Sequence, residues 1–213
     1  MDNITRIRAL EMGDIPQVAE IFGEQFPKSP WTQLGQKYTR KAFLWHYENF
    51  PRLAMVSETD SKVTGFIVGA RYGNRECYQR IARFAYKEFF SGLARRPWLI
   101  FNRLYFSQLG DVFKSPRPVN NGLSVNDPEK IAGNKAILTF VAVNKAGQGK
   151  GIGTCLLKAF EQAALQQGFE ILSLYTELDN HPARSLYEKN GWVVSHTNPR
   201  RNMIYYSKRL SRL

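Results

Sequence analysis

The sequence predicts one α/β domain, of the α+β kind, built on a mixed sheet and interrupted by a helical insertion. Three observations lead there. An apolar run, Ala136 to Val143, enters a glycine-rich turn and then a helical pattern. A second strand-and-helix unit follows, and alternating strand-like segments stand at both ends of the chain. With 213 residues, the chain has length for one well-buried domain and little more.

Taken in order, Ile4 to Leu10 alternates apolar and polar residues and reads as a strand. Asp14 offers an N-cap to a helix with Ile15, Val18, Ala19, Ile21 and Phe22 on one face. Phe26 to Pro30 breaks that helix, and a second helical pattern carries Phe43, Leu44 and Tyr47. Leu53–Glu58 and Val63–Val68 read as a hairpin about the turn Thr59-Asp60-Ser61-Lys62.

Residues 71–135 leave the strand rhythm. Tyr78, Ile81, Ala82, Ala85 and Phe89 recur at helical spacing, with Arg80, Arg83 and Lys87 toward the other side. After Gly92 and Pro97, the run Trp98 to Phe106 predicts a second, more apolar helix. Ser115-Pro116-Arg117-Pro118 and Asn120-Asn121-Gly122 predict an irregular loop. Beyond it come the strand Ala136–Val143 and a helix with Leu156, Leu157, Phe160 and Ala164 on one face, capped by Gly168. A strand over Ile171–Tyr175, a helix from about Asp179 or Asn180 to Tyr187, and closing strands at Trp192–His196 and Met203–Ser207 complete the pattern.

Composition narrows the function classes. The first ten residues lack the apolar run of a signal peptide, and no stretch is long and uncharged enough to span a bilayer. Two cysteines, Cys77 and Cys155, make neither a disulfide framework nor a zinc spacing, and three histidines without acidic neighbours at ligand spacing point to no metal. A cytoplasmic protein is the expectation. The formal charge of +12 is concentrated. Residues 71–103 hold eight basic side chains against Glu76 and Glu88, half of the whole excess. Such a patch attracts anions, whether phosphates, lipid headgroups or nucleic acid, unless it is only a solvated helix face.

The chemistry sits in the glycine loop Gly147-Gln148-Gly149-Lys150-Gly151-Ile152-Gly153. A strand running into it and a helix running out aim unpaired N–H groups and a positive helix end at one place, which suits a diphosphate. Its glycines fall at alternate positions, so it is neither G-x-G-x-x-G nor a Walker loop, where Ser or Thr follows the lysine. A purely structural turn is the plain alternative.

Gln148-x-x-Gly151-x-Gly153 resembles the (Arg/Gln)-x-x-Gly-x-(Gly/Ala) signature of the GNAT N-acetyltransferases, and the element order resembles that family over residues 4–70 and 136–210. Lys145 departs from the proline common at that strand exit. Asn180-His181-Pro182-Ala183-Arg184-Ser185-Leu186-Tyr187-Glu188-Lys189-Asn190-Gly191-Trp192 resembles the family's N-x-x-A-x-x-(L/F)-Y-x-x-x-G-(F/W) segment.

The resemblance implies a seven-stranded mixed sheet whose central parallel strands splay apart to admit acetyl-CoA. On that model the backbone of Val141, Ala142 and Val143 pairs with the pantetheine amides. The amides of Gln148, Gly149, Lys150, Gly151, Ile152, Gly153 and Thr154 hold the diphosphate, Asn180 bonds the cofactor arm, and Tyr187 protonates the departing thiolate. A primary amine is the acceptor, on an amino sugar or its nucleotide- or lipid-linked form, or else on a protein or peptide. Glu177 is the first candidate for the base that takes the ammonium proton, with Glu24 and His46 behind it. Without the resemblance, Tyr187 reads as a packing aromatic, Glu177 as a solvated carboxylate, and Cys155 as a small core residue.

For the insertion three readings stay open: a cap over the acceptor pocket, a basic amphipathic surface lying on anionic lipid through residues 71–106, and a structural extension or homodimer arm. The rival to an enzyme is a non-catalytic module of the same fold that docks on a membrane or a protein partner through residues 71–106. Nucleic acid is the least favoured partner, since the aromatics keep core-like spacing.

Overall fold

Backbone pairing supplies the frame. The computed structural model describes residues 5–71, 74–101 and 134–211. Seven strands form one sheet: β1 (Arg6–Ala9), β2 (Ala54–Thr59), β3 (Lys62–Ala70), β4 (Lys135–Val143), β5 (Ile171–Glu177), β6 (Val193–Asn198) and β7 (Met203–Arg209). Their spatial order is β1-β2-β3-β4-β5-β7-β6. All neighbours are antiparallel except β4 and β5. The mixed sheet of the sequence reading is therefore present, strand for strand, with boundaries moved by at most two residues.

Local chemistry explains most of the elements. Asp60 and Ser61 both adopt positive φ (51° and 60°), the backbone that a two-residue turn needs between twisted strands. Asp14 precedes helix α1 (Ile15–Gln25) but makes no capping bond to it. Instead its carboxylate accepts from the Glu11 amide and pairs with the Arg8 guanidinium, which also holds Glu58. That ion pair keeps the Asp14 carboxyl below the usual carboxylate range against the opposing effect of burial. A short helix α2 (Pro30–Leu34) and a longer α3 (Gln36–Asn49) follow, with Gly35 between them at φ 99°.

The insertion departs from expectation at its joints. The periodic run splits at Ala85 into α4 (Asn74–Phe84) and α5 (Tyr86–Arg95), and α5 runs straight through Gly92. Gly92 is a contact residue and not a stop: a Cβ there would lie 2.5 Å from the Leu34 carbonyl oxygen, so its lack of a side chain lets α5 close on α2. Pro97–Phe101 forms a single 3-10 turn where a longer apolar helix was expected. Arg103, Leu104, Tyr105, Phe106 and the expected loop over Ser115–Gly122 lie outside the described residues, as does Ile4.

Two apolar layers sandwich the sheet. On one face Val18, Phe22, Trp31, Phe43, Phe66, Val68 and Ala142 are buried together with Cys77, Ile81, Phe89 and Leu93 of α4 and α5. The amphipathic sides of the inserted helices are thus core surface. On the other face α6 (Ile152–Gln166) and α7 (His181–Lys189) cover Ile67, Leu138, Leu172, Leu174 and Tyr206. Glu161 on α6 accepts from the Trp192 indole (2.7 Å) and the Lys208 ammonium (2.6 Å), tying α6 to β7 and to the strand entry after α7. Among the described residues no helix is long and apolar enough to cross a membrane.

Candidate active site: the β4–β5 wedge

The site begins where pairing ends. β4 and β5 pair only at Lys135↔Ile171, Ala136↔Leu172 and Ile137↔Ser173, yet β4 continues to Val143 and β5 to Glu177. Beyond Ile137 the two strands diverge into a wedge. The first edge residue past the pairing, Thr139, sits at an irregularity in the β3–β4 ladder, where Gly69 pairs Leu138 and Val68 pairs Phe140. A bulge re-aims side chains at a defined point of a strand. Its consequence shows in the burial: Leu138 joins the α6 layer, whereas Phe140 joins the α1 layer.

The register also decides which β4 groups face the wedge. The Asn144 amide donates to the Thr64 carbonyl of β3 (2.8 Å). Because a strand's polar groups alternate sides, Ala142 likewise turns its N–H and C=O toward β3, and Val141 and Val143 turn theirs to the open edge. Of the three residues the sequence reading assigned to a pantetheine-like strand, two present backbone to the wedge and Ala142 supports from behind. The Val143 carbonyl already accepts from the Gln148 side chain at 3.0 Å.

At the wide end lies the glycine loop. Gly149 and Gly151 both have positive φ (76° and 79°), a backbone that costs other residues strain. Gly151 is the N-cap of α6, whose ladder begins with the Cys155 amide donating to the Gly151 carbonyl (3.1 Å). The amides of Ile152, Gly153 and Thr154 therefore stand at a helix start with no carbonyl partner among the described residues. A Cβ built at Gly149 or Gly151 would meet nothing within 4 Å, so the loop is open on that side. Lys150 is exposed beside it. Backbone donors, an open side and a helix N-terminus fit a diphosphate, which is the test a coenzyme A site has to pass here.

Helix α7 flanks α6. Asn180 caps it, its Oδ1 accepting from the Ala183 amide at 3.2 Å, so Asn180 has a structural task besides the one implied for it. Tyr187 is buried, with its ring 6.0 Å from that of Trp192 and 5.7 Å from that of Tyr206. Burial, with a smaller contribution from Tyr206, raises its phenol well above the ordinary value, and the hydroxyl stays protonated. Tyr187 lies on the α6 side of the sheet. Glu177 lies on the other, since Leu172 and Leu174 face α6 and the strand alternates. The structure thus places the expected acid and the expected base on opposite faces. Glu177 is the last residue of β5, exposed, and its register partner on β7 is Met203.

The lesser candidates separate clearly. His46 is fully buried, its Nδ1 3.3 Å from the Gly69 carbonyl oxygen, and burial lowers its pKa to about 4. A base must reach its proton, so His46 is removed from that role and becomes a neutral core residue. Glu24 is exposed on α1. Cys155 is exposed on α6, against the expectation of a small core residue. No group of three His, Cys, Asp or Glu residues could hold a metal ion among the described residues.

Sequence reasoning missed the aromatic lining on the Glu177 side of the wedge. Phe140 of β4 packs on Trp31 (4.8 Å) and Phe26 (5.4 Å), and Trp31 on Tyr78 of the insertion (5.8 Å). Tyr78 is hydrogen-bonded to Tyr175 of β5, and Tyr175 stacks on Tyr205 of β7 at 5.7 Å. Thr139 was the one legible signal, as the lone polar residue in the run Ala136–Val143.

Comparison with known proteins agrees with this geometry. The model of the Acetyltransferase (GNAT) family matches residues 112–192. A mycothiol acetyltransferase of Jonesia denitrificans is 40% identical over 56 residues, which is 26% of this chain and 18% of that relative. The chain thus spans less than a fifth of the length of that curated relative. The structure of yncA from Salmonella typhimurium with its cofactor acetyl-CoA superposes with a TM-score of 0.61 at 16% identity, covering 98% of this chain and 95% of the other. PaiA N-acetyltransferase from Thermoplasma acidophilum in complex with coenzyme A gives 0.59 at 18% identity, covering 97% and 99%. The segment that matches the GNAT family model, 112–192, takes in β4, the glycine loop and β5, and the chain has the fold of these two solved structures.

Proposed function

We propose that this chain transfers an acetyl group from acetyl-CoA directly to a primary amine. The observation that carries the reading is the early end of β4–β5 pairing at Ile137↔Ser173, which leaves the Val141 and Val143 backbone edge open beside the amides at the start of α6. A thioester supplies an activated acyl carbon, and the amine's lone pair forms the new C–N bond as the C–S bond breaks. The ammonium must first lose a proton, for which Glu177, exposed at the end of β5, is the base on the acceptor side. The leaving thiolate must gain one, for which Tyr187 carries a phenol kept protonated by burial. Asn180 and the Gln148–Thr154 backbone hold the coenzyme. Amino sugars, their nucleotide- or lipid-linked forms, and protein or peptide amines are the acceptor groups to compare.

Titration calorimetry with acetyl-CoA tests the coenzyme half, and release of free coenzyme A over an amine panel tests the transfer. Absence of saturable binding at millimolar acetyl-CoA would overturn the reading.

A second reading draws on a separate observation. Phe84, Tyr86, Phe90, Trp98 and Phe101 of the insertion remain exposed, Trp98 by 62% and Phe101 by 92%, with Lys41 over the Phe84 ring and Lys87 over that of Tyr86. Exposed rings among basic side chains suit an anionic membrane surface. Salt-sensitive flotation with phosphatidylserine vesicles, without transferase activity, would favour docking as the main role.

A further inference from the structure

The wedge opens on two faces, and on the face opposite α6 its mouth is closed into a ring by contacts from four elements. Tyr175 is the first β5 residue on that face beyond the last β4–β5 pair. Its phenol is hydrogen-bonded to that of Tyr78 on α4. The Tyr78 ring meets Trp31 of α2 edge-on at 5.8 Å, and Trp31 meets Phe140 of β4 at 4.8 Å. The circuit therefore runs β5, α4, α2, β4, and returns to the strand that lines the other side of the opening. One member comes from the insertion. Without α4 the ring would have a gap between β5 and α2.

The polar groups in this ring are few. Among the described residues they are the two hydroxyls of the Tyr78–Tyr175 pair, with Tyr38 and Tyr205 beside them, the His46 imidazole against Trp31, and two more, the Trp31 indole Nε1 and the Thr139 hydroxyl at the β4 bulge. The last two are buried and have no hydrogen-bond partner among the described residues. A buried donor or hydroxyl without a partner is costly, and it marks a place where a ligand or water completes the bonding. No carboxylate belongs to the circuit. Glu177 stands farther along β5, at the exposed end of the same face. Aromatic faces attract an ammonium through their quadrupole and cover an apolar stem, whereas a polyhydroxylated ring calls for the denser set of charged and amide side chains that the circuit Tyr175, Tyr78, Trp31 and Phe140 lacks.

We propose that Tyr78 of the inserted helix is a specificity-determining residue of the acceptor site: paired with Tyr175, it closes an aromatic collar that admits a primary amine on an apolar or aromatic stem. The proposal rests on the acetyl-transfer reading and adds its acceptor class. The insertion then does more than extend the core, since its α4 places one side chain at the mouth of the wedge.

The test compares wild type with Tyr78→Phe, Tyr175→Phe, the double Phe variant and Tyr78→Ala. Coenzyme A release is measured with n-hexylamine, phenethylamine and glucosamine, and acetyl-CoA affinity is measured by calorimetry in each protein. Wild type is expected to prefer the first two amines. Each Phe variant should lower kcat/KM for them by about 3- to 10-fold, the usual worth of one hydrogen bond. The double variant should be no worse than either single one, because one bond joins the two residues. Tyr78→Ala should narrow the preference over glucosamine by about 10-fold, with acetyl-CoA affinity unchanged. Unchanged acceptor ratios in Tyr78→Phe and Tyr175→Phe proteins that bind acetyl-CoA normally would overturn the collar and leave acetyl transfer standing. A wild-type preference for glucosamine would do the same. Failure of wild type to bind acetyl-CoA would remove the underlying reading as well. The Phe variants retain ring packing, so the test survives a Tyr78→Ala protein that does not fold.

Discussion

The Gln148 side-chain amide donates to the Val143 carbonyl at 3.0 Å and to the Gln25 Oε1 at 3.0 Å. One residue of the glycine loop is thereby fastened to the end of the wedge's open edge and to the end of α1. The bond fixes where the loop amides stand relative to β4. Gln148→Ala should weaken acetyl-CoA binding by about 3- to 10-fold through lost positioning. Gly151→Val should weaken it by about 10²-fold, since φ of 79° strains a β-branched residue and the loop must rearrange. Calorimetry on variants with native circular dichroism checks both, and wild-type affinity in Gly151→Val would place the phosphates elsewhere.

Tyr187→Phe separates chemistry from packing. The ring contacts with Trp192 and Tyr206 remain in this variant, and only the hydroxyl is lost. Turnover should fall by about 10²-fold with the Michaelis constant for acetyl-CoA little changed. Because the phenol is raised above its ordinary value, wild-type turnover should show no alkaline loss from this group through neutral and mildly basic pH. Near-normal turnover in the Phe variant, with chemistry shown to limit the rate, would leave Tyr187 a packing residue.

His46 gives a pH dependence of stability. Its pKa is about 4 in the folded chain against an ordinary 6.5, so between those values the unfolded chain binds the extra proton. Stability is full above about pH 6.5 and is lost as pH falls toward 4. The part due to His46 between pH 7 and pH 5 is about 2 kcal/mol. Urea unfolding of wild type and His46→Gln at the two values should show that difference in wild type alone. An equal pH response in both proteins would contradict it.

Gly92→Ala probes the docking of the insertion on the core. The added methyl meets the Leu34 backbone oxygen, which cannot rotate away, so α5 must shift. A loss of about 1–3 kcal/mol in unfolding free energy is expected, with acetyl-CoA affinity retained. Unaltered stability would show that α5 moves freely against α2.

Legibility in the sequence followed the range of the forces involved. The strands, α1, α3, α6, α7 and the 59–62 turn were readable because hydrophobic period and turn chemistry act within a few residues. The glycine loop and the Asn180–Tyr187 helix were readable as motifs for the same reason, their members being one or two turns apart. Gly92 misled, because a glycine that permits close helix packing looks in sequence like one that stops a helix. His46 misled because nothing local shows that Gly69 lies beside it.

The sequence by itself determined that a sheet would carry a glycine-rich turn and a helix start after its central apolar strand. Only the tertiary structure decided the wedge's width and lining. Which β4 groups face the gap depends on pairing with Thr64 and Gly65, about eighty residues earlier in the chain. That Tyr78 meets Tyr175 depends on how α4 packs against α2 and α3. Such contacts join side chains about a hundred residues apart, and no local period or spacing encodes them. They exist because burying the apolar sides of α4 and α5 leaves one helix direction, and one tyrosine, at the mouth of the site.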